Sequence, residues 1–220
     1  MRVGFISENS LRAYKEKIGE EKAEVLLFGF NGIGEVSYEK ELKGESGFFE
    51  EAALLSKSEH CVVVSGCVTN TLGHKRRSAV IAENGKLLGI SDALYAIDGS
   101  GSGAELRVYA TKVGKMGVVV GEDLYFSDII RALSLCGCDF IVCPFDRVLS
   151  SLESLYLRVF AHSYGLPICL CGKGFCMVAD VKGEIAFFSP VSPCFFTLEN
   201  KKEYHLIERR KRVKFSKIGE

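Results

Sequence analysis

The chain has no net charge, because 28 lysines and arginines are balanced by 28 aspartates and glutamates. Long-range attraction to nucleic acid or to an acidic membrane therefore has no global source, and either partner would need a local patch. One basic run exists, Arg209-Arg210-Lys211-Arg212 with Lys214, and cations this close to a chain end read as a solvated tail. The expectation is no nucleic-acid partner and no membrane partner. No apolar stretch is long enough to span a bilayer, and Met1-Arg2-Val3-Gly4-Phe5-Ile6 lacks the hydrophobic region and cleavage site of a secretory leader. A cytoplasmic location is expected. Histidine is scarce as well, with 4 in 220 residues, so few side chains could activate a thiol near neutral pH.

Cysteine, by contrast, is plentiful. There are nine, an odd number, and most sit inside apolar runs such as Cys61-Val62-Val63-Val64 and Ile168-Cys169-Leu170-Cys171. Buried free thiols behave as small hydrophobes, which suits a reducing compartment better than a disulfide framework. The close pairs Cys136/Cys138 and Cys169/Cys171 have a single-residue spacer, shorter than structural zinc sites use. No metal and no cofactor are expected.

A chain of 220 residues can build one sizeable core, so a single domain over 1–210 with a basic tail over 211–220 is expected. Strands are predicted at Arg2 to Ser7, Val25 to Phe30, Cys61 to Val68, Arg77 to Ala82, Lys86 to Ser91, Leu106 to Thr111, Lys115 to Val120, Phe140 to Cys143, Ile168 to Cys171, Cys176 to Ala179, Ile185 to Phe188 and Cys194 to Leu198. Helices are predicted at Ser10 to Lys22, Gly47 to Ser58, Phe126 to Ser134 and Ser150 to Tyr164. In the last of these Leu152, Leu155, Val159 and His162 recur at helical spacing, which predicts a packed face and a packed histidine. Asn84-Gly85 and Lys182-Gly183 each put a turn glycine between apolar runs and predict hairpins, hence antiparallel pairs. So many strands with so few helices do not fit one doubly wound sheet. The predicted architecture is α/β: a four-layer α-β-β-α sandwich of two mixed β-sheets flanked by helices. The segment Asp98-Gly99-Ser100-Gly101-Ser102-Gly103 reads as a surface loop.

Gly114-Lys115-Met116-Gly117-Val118-Val119-Val120-Gly121-Glu122-Asp123-Leu124-Tyr125-Phe126 resembles the nucleophile strand and elbow of the nitrilase, or carbon-nitrogen hydrolase, superfamily. The likeness continues through Arg131-Ala132-Leu133 and Gly137-Cys138-Asp139-Phe140-Ile141-Val142-Cys143-Pro144. Further blocks are Ser78 to Gly89, Leu157 to Ala161, and Cys171 to Glu184. Together they cover most of residues 1–210, and their order and spacing carry the likeness.

The resemblance implies the sandwich fold, homodimers or larger homo-oligomers, and a regulatory partnership with an active relative or a small amide or carboxylate ligand. Active members use a glutamate base, a lysine for the oxyanion and a cysteine nucleophile. Carried over residue by residue, these positions fall on Phe30, Ala93 and Gly121. None of the three can perform the role, so a catalytically inactive protein is expected, with no catalytic residue and with Phe30, Ala93, Gly121, Glu122 and Asp123 as a residual pocket. An apolar Phe30 where a charged base stood predicts a drier and smaller pocket, suited to an apolar ligand or to none. Asp123 reads as structural, while the Glu122 backbone N–H falls where the family's oxyanion donor sits. The alternative is an amide or nitrile hydrolase with a relocated nucleophile at Cys143, Cys171 or Cys176, helped by Lys173 or His162.

Overall fold

The computed structural model describes residues 1–16, 21–95 and 99–199. The basic run at 209–214 and Asp98 lie outside the described residues. Thirteen strands fall into two mixed sheets among the described residues. The first sheet contains β1 (Arg2–Ile6), β2 (Val25–Phe28), β3 (Gly34–Ser37), β4 (Val62–Thr71), β5 (His74–Glu83) and β6 (Lys86–Asp92). The second contains β7 (Val108–Thr111), β8 (Gly114–Val118), β9 (Phe140–Pro144), β10 (Ile168–Gly172), β11 (Phe175–Ala179) and β12 (Ile185–Ser189), and β13 (Cys194–Thr197) returns to the edge of the first.

In the first sheet β1, β2 and β4 run parallel, while β13 and the β4-β5-β6 meander pair antiparallel. In the second β8, β9 and β10 are parallel and β7, β11 and β12 antiparallel. The parallel strands are apolar on both faces because both faces are covered. Alternate residues then sort by layer. Val3, Phe5, Val25, Leu27, Val62 and Val64 face the second sheet across the central core. Ile6, Leu26, Phe28 and Val63 face outward onto helices.

Those outer helices are α1 (Leu11–Glu16) and α3 (Phe48–Ser58), with the short α2 (Tyr38–Leu42) between them in the chain. On the far side, α4 (Ser127–Leu135) and α5 (Ser151–Tyr164) cover the second sheet through Ile129, Ile130, Leu133, Leu157 and Phe160. The predicted α-β-β-α sandwich is the observed one.

Boundaries differ from the prediction in instructive places. Helix α1 is described over Leu11–Glu16, residues 17–20 of the predicted helix lie outside the described residues, and Glu21 and Lys22 are not helical; the chain at Glu24 is tied to β1 by its N–H to the Arg2 carbonyl (2.8 Å). Strand β2 stops at Phe28 because Gly29 begins a turn, closed by the Gly32 N–H to the Gly29 carbonyl (3.1 Å). Strand β3 and helix α2 were not predicted; their sequence has no periodicity of its own, and β3 exists by pairing with Cys67 to Asn70 of β4.

The largest reversal is on α5. Its predicted packed stripe is turned to solvent, with Leu152 50 %, Leu155 55 % and Val159 46 % exposed, and His162 is exposed too. The buried face instead carries Glu153, Leu157, Phe160 and Ala161. Both faces have helical spacing, and the one bearing the large Phe160 and the anchored Glu153 packs inward.

Candidate functional site

The resemblance aligns the family's nucleophile position with Gly121, and the local backbone explains why glycine is at home there. Strand β8 runs on through Val119, whose N–H donates to the Val142 carbonyl at 3.0 Å, and the chain then breaks into a 3-10 turn, Gly121–Tyr125. Gly121 has φ +55, a left-handed conformation that costs other residues energy. A Cβ built on it would lie 3.5 Å from Arg77 Cδ and 3.5 Å from Asp146 Oδ1. The space above the elbow is thus occupied by side chains of β5 and of the segment following β9.

Those side chains form an ion network. Arg77 Nε donates to Asp146 Oδ2 at 2.5 Å, and its Nη1 lies 3.8 Å from Glu122 Oε2. Arg147 closes on the other carboxylate oxygen of Glu122. The Glu122 side chain is only 4 % exposed, so its charge depends on these two arginines. Glu122 Oε2 and Asp146 Oδ1 are buried without a hydrogen-bond partner.

Ala93 joins the same corner, its N–H donating to the Arg77 carbonyl at 2.8 Å, and it is buried in the central core. Phe30 is half-buried against that core and covers Gly66 of β4. A Cβ on Gly66 would meet the Phe30 ring at 2.6 Å, so only glycine lets the ring lie flat on the strand. At the elbow, by contrast, Gly121 and Glu122 are roofed by charged side chains. Nothing in the sequence pattern around Arg77, Asp146 and Arg147 signalled this, because Arg77 on β5 meets the adjacent Asp146 and Arg147 after β9 only when the two sheets stack.

Asp123 turns away from the roof. Its oxygens accept from the backbone N–H groups of Leu94 (2.8 Å) and Tyr95 (2.9 Å), tying the elbow to the segment after β6. Burial pushes its carboxyl up to about 6, and the two N–H donors oppose that rise. A raised carboxyl means that the folded chain holds a proton the unfolded chain has lost. Its contribution to stability is greatest below the ordinary value of 3.8 and falls as pH rises through about 6. Relative to an Asp123→Asn variant, wild-type thermal stability should therefore fall between those limits, by the order of 2–3 kcal/mol. A pH series of melting curves that stayed parallel would refute this.

The thiols proposed as relocated nucleophiles are placed as follows. Cys143 lies on the outer face of β9 in the helix-covered core, its Sγ 3.9 Å from the Gly121 carbonyl oxygen. It is fully buried, and burial, then the charges of Asp123 and Asp146, push its thiol well above the ordinary value. Cys171 faces the central core between the sheets, and burial raises it as well. Lys173 is exposed in the β10-β11 turn and His162 lies beside Gly183 on α5. Cys176 contacts Cys194. The structure thus does not bring Cys143, Cys171, Lys173 and His162 into one site. Among the described residues no group of three or more His, Cys, Asp or Glu side chains is arranged to hold a metal. No helix among them is long and apolar enough to cross a membrane.

No protein-family model matches the chain, and no curated protein matches it in sequence. Solved structures do. An amidase from Nesterenkonia sp. AN1 superposes with a TM-score of 0.72 at 14 % identity, covering 99 % of this chain and 99 % of that one. Nit3 of Saccharomyces cerevisiae, a member of branch 10 of the nitrilase superfamily, gives 0.70 at 15 % identity over 89 % of this chain and 88 % of its own. A carbon-nitrogen hydrolase from Helicobacter pylori G27 gives 0.69 at 15 % identity over 89 % and 87 %. With its order of strands, its two stacked sheets and its outer helices, the chain has the fold of the nitrilase superfamily.

Proposed function

We propose that this chain is a non-catalytic nitrilase-fold protein that acts by assembling and binding rather than by hydrolysing amides. The observation that carries this reading is the ion network over Gly121, where an elbow without a nucleophile is roofed by Arg77, Asp146, Glu122 and Arg147. Assigned from the resemblance, the base and lysine positions at Phe30 and Ala93 carry no titratable group either. Loss of a nucleophile alone costs other hydrolases several powers of ten in rate. The unit is one domain over 1–210 with a basic tail, and its free thiols suit the cytoplasm.

The test uses chemistry that a similar structure displays. One mutant of the Nesterenkonia amidase has been captured with acrylamide added at its active site cysteine, and another in complex with butyramide. Incubated with either compound, or with a simple nitrile, the present protein should release no ammonia and carry no acrylamide adduct at the elbow. Ammonia release abolished by replacing one of Cys143, Cys171 or Cys176 would overturn the reading in favour of a hydrolase with a relocated thiol.

Assembly is assigned to α5, whose exposed Leu152, Leu155 and Val159 form one apolar stripe. A second copy of the chain is the occupant, in line with the pairing that the resemblance implies. The protein should run as a homodimer in size-exclusion chromatography with light scattering, and Leu155→Glu should shift it to a monomer without lowering its helix content. A wild-type monomer at micromolar concentration would remove this assignment.

A further inference from the structure

The two sheets meet at a second chemical feature, unconnected with the elbow. Cys176 on β11 of one sheet and Cys194 on β13 of the other bring their sulfurs within 3.1 Å. Both side chains point into the inter-sheet core, since Cys176 belongs to it and Cys194 packs against it. They are not equivalent. Cys176 is fully buried, whereas Cys194 is partly exposed and follows the 190–193 connection between β12 and β13.

We infer that Cys176 and Cys194 form a redox-responsive thiol pair that low-molecular-weight disulfides convert into a covalent staple between the two sheets. Cys194 is the attacking thiol because solvent reaches it and because its neighbours favour its anion. A hydrogen bond from Cys176, aided by Ser189, holds it down to about 7 against the opposing effect of burial. The reverse holds for Cys176, kept protonated by that hydrogen bond and by burial. The buried thiols Cys61, Cys67, Cys143, Cys169 and Cys171 are all pushed up by burial, which leaves them poor nucleophiles.

The reaction takes two exchanges. The Cys194 thiolate attacks one sulfur of oxidised glutathione, its S–S bond breaks, and glutathione thiolate leaves and takes up a proton. With Cys194 no longer anionic, the charge that held the Cys176 proton is gone. Cys176 then loses that proton, attacks the Cys194 sulfur and releases the second glutathione. Two protein thiols are oxidised and one glutathione disulfide is reduced to two thiols, so atoms and electrons balance. The sulfurs need to approach by roughly 1 Å to reach a bond of about 2.05 Å.

Peptide mapping without reduction, after incubation of the full chain with oxidised glutathione, tests this directly. The expected product is a Cys176–Cys194 cross-link that dithiothreitol reverses, with a melting temperature roughly 5–10 °C above that of the reduced chain. Cys176→Ser should accumulate a stable glutathione adduct at Cys194, and Cys194→Ser should leave Cys176 unmodified. Cys136, the exposed thiol outside the pair, is the internal reference. Modification confined to Cys136, or an adduct on Cys194 that never passes to Cys176 in the native chain, would overturn the proposal.

Discussion

Arg77→Ala should destabilise the chain by about 3–5 kcal/mol, the usual cost of leaving a buried charge without its partner. Arg77 stands between Asp146, which it holds through Nε, and Glu122, which faces Nη1. Without it, Glu122 keeps, among the described residues, the ion pair with Arg147, whose own side chain is 51 % exposed. The melting temperature should drop by roughly 10 °C or more. Neutralising the stranded acid should restore part of the loss, so Glu122→Gln in the Arg77→Ala background is expected to be more stable than the single variant. Urea titrations of the four species of this cycle give the coupling energy. Additive effects, within about 0.5 kcal/mol, would mean that the roof over Gly121 is not a connected network.

The second large effect lies at the start of α5. Glu153 opens α5 with a capping box: Ser150 N–H and Oγ donate to its Oε2 at 2.6 and 2.7 Å, while Tyr125 from the elbow turn donates to Oε1 at 2.5 Å. Glu153→Ala removes the cap and strands the Tyr125 hydroxyl together with the Ser150 donors, a loss of about 2–4 kcal/mol. Burial alone would push the Glu153 carboxyl up, but the hydrogen bonds from Tyr125 and Ser150 outweigh it and hold the group below 4.5. A depressed carboxyl stabilises the fold above the unfolded value of 4.5 and loses that contribution as pH falls through the lower folded value. The stability gap between wild type and Glu153→Ala should therefore be constant near neutrality and narrow in acid. A gap that persisted unchanged to low pH would show that the cap acts through packing alone. Because Tyr125 belongs to the elbow and Glu153 to the helix assigned to dimer formation, this bond also links the two regions mechanically.

Much of the fold was legible in the sequence for one reason. Runs such as Val62-Val63-Val64 and Ile141-Val142-Cys143 are buried on both faces, so they are apolar at every position and stand out from their surroundings. Hairpins at Asn84-Gly85 and Lys182-Gly183 were legible because a turn needs residues that tolerate left-handed backbone, and Asn84, Gly85 and Gly183 all have positive φ. Helix α5 was placed correctly in length but not in rotation, because its two apolar stripes are equally periodic. Strand β3 had no local signal, since pairing with β4 decides it, and helix α2, of 5 residues, is too short to show a periodic face.

The sequence by itself determined the alternation of strands and helices, the elbow glycine and the absence of a thiol at Gly121, because these depend on which residue stands where along the chain. Only the tertiary structure decided what surrounds Gly121. Arg77, Glu122 and the adjacent pair Asp146-Arg147 come from three separate segments, and no spacing rule relates those segments. The same holds for Cys176 and Cys194, which sit on strands of different sheets and meet only because those sheets stack. Side-chain chemistry is written in the chain, but the distances that turn it into an ion network or a thiol pair arise from packing.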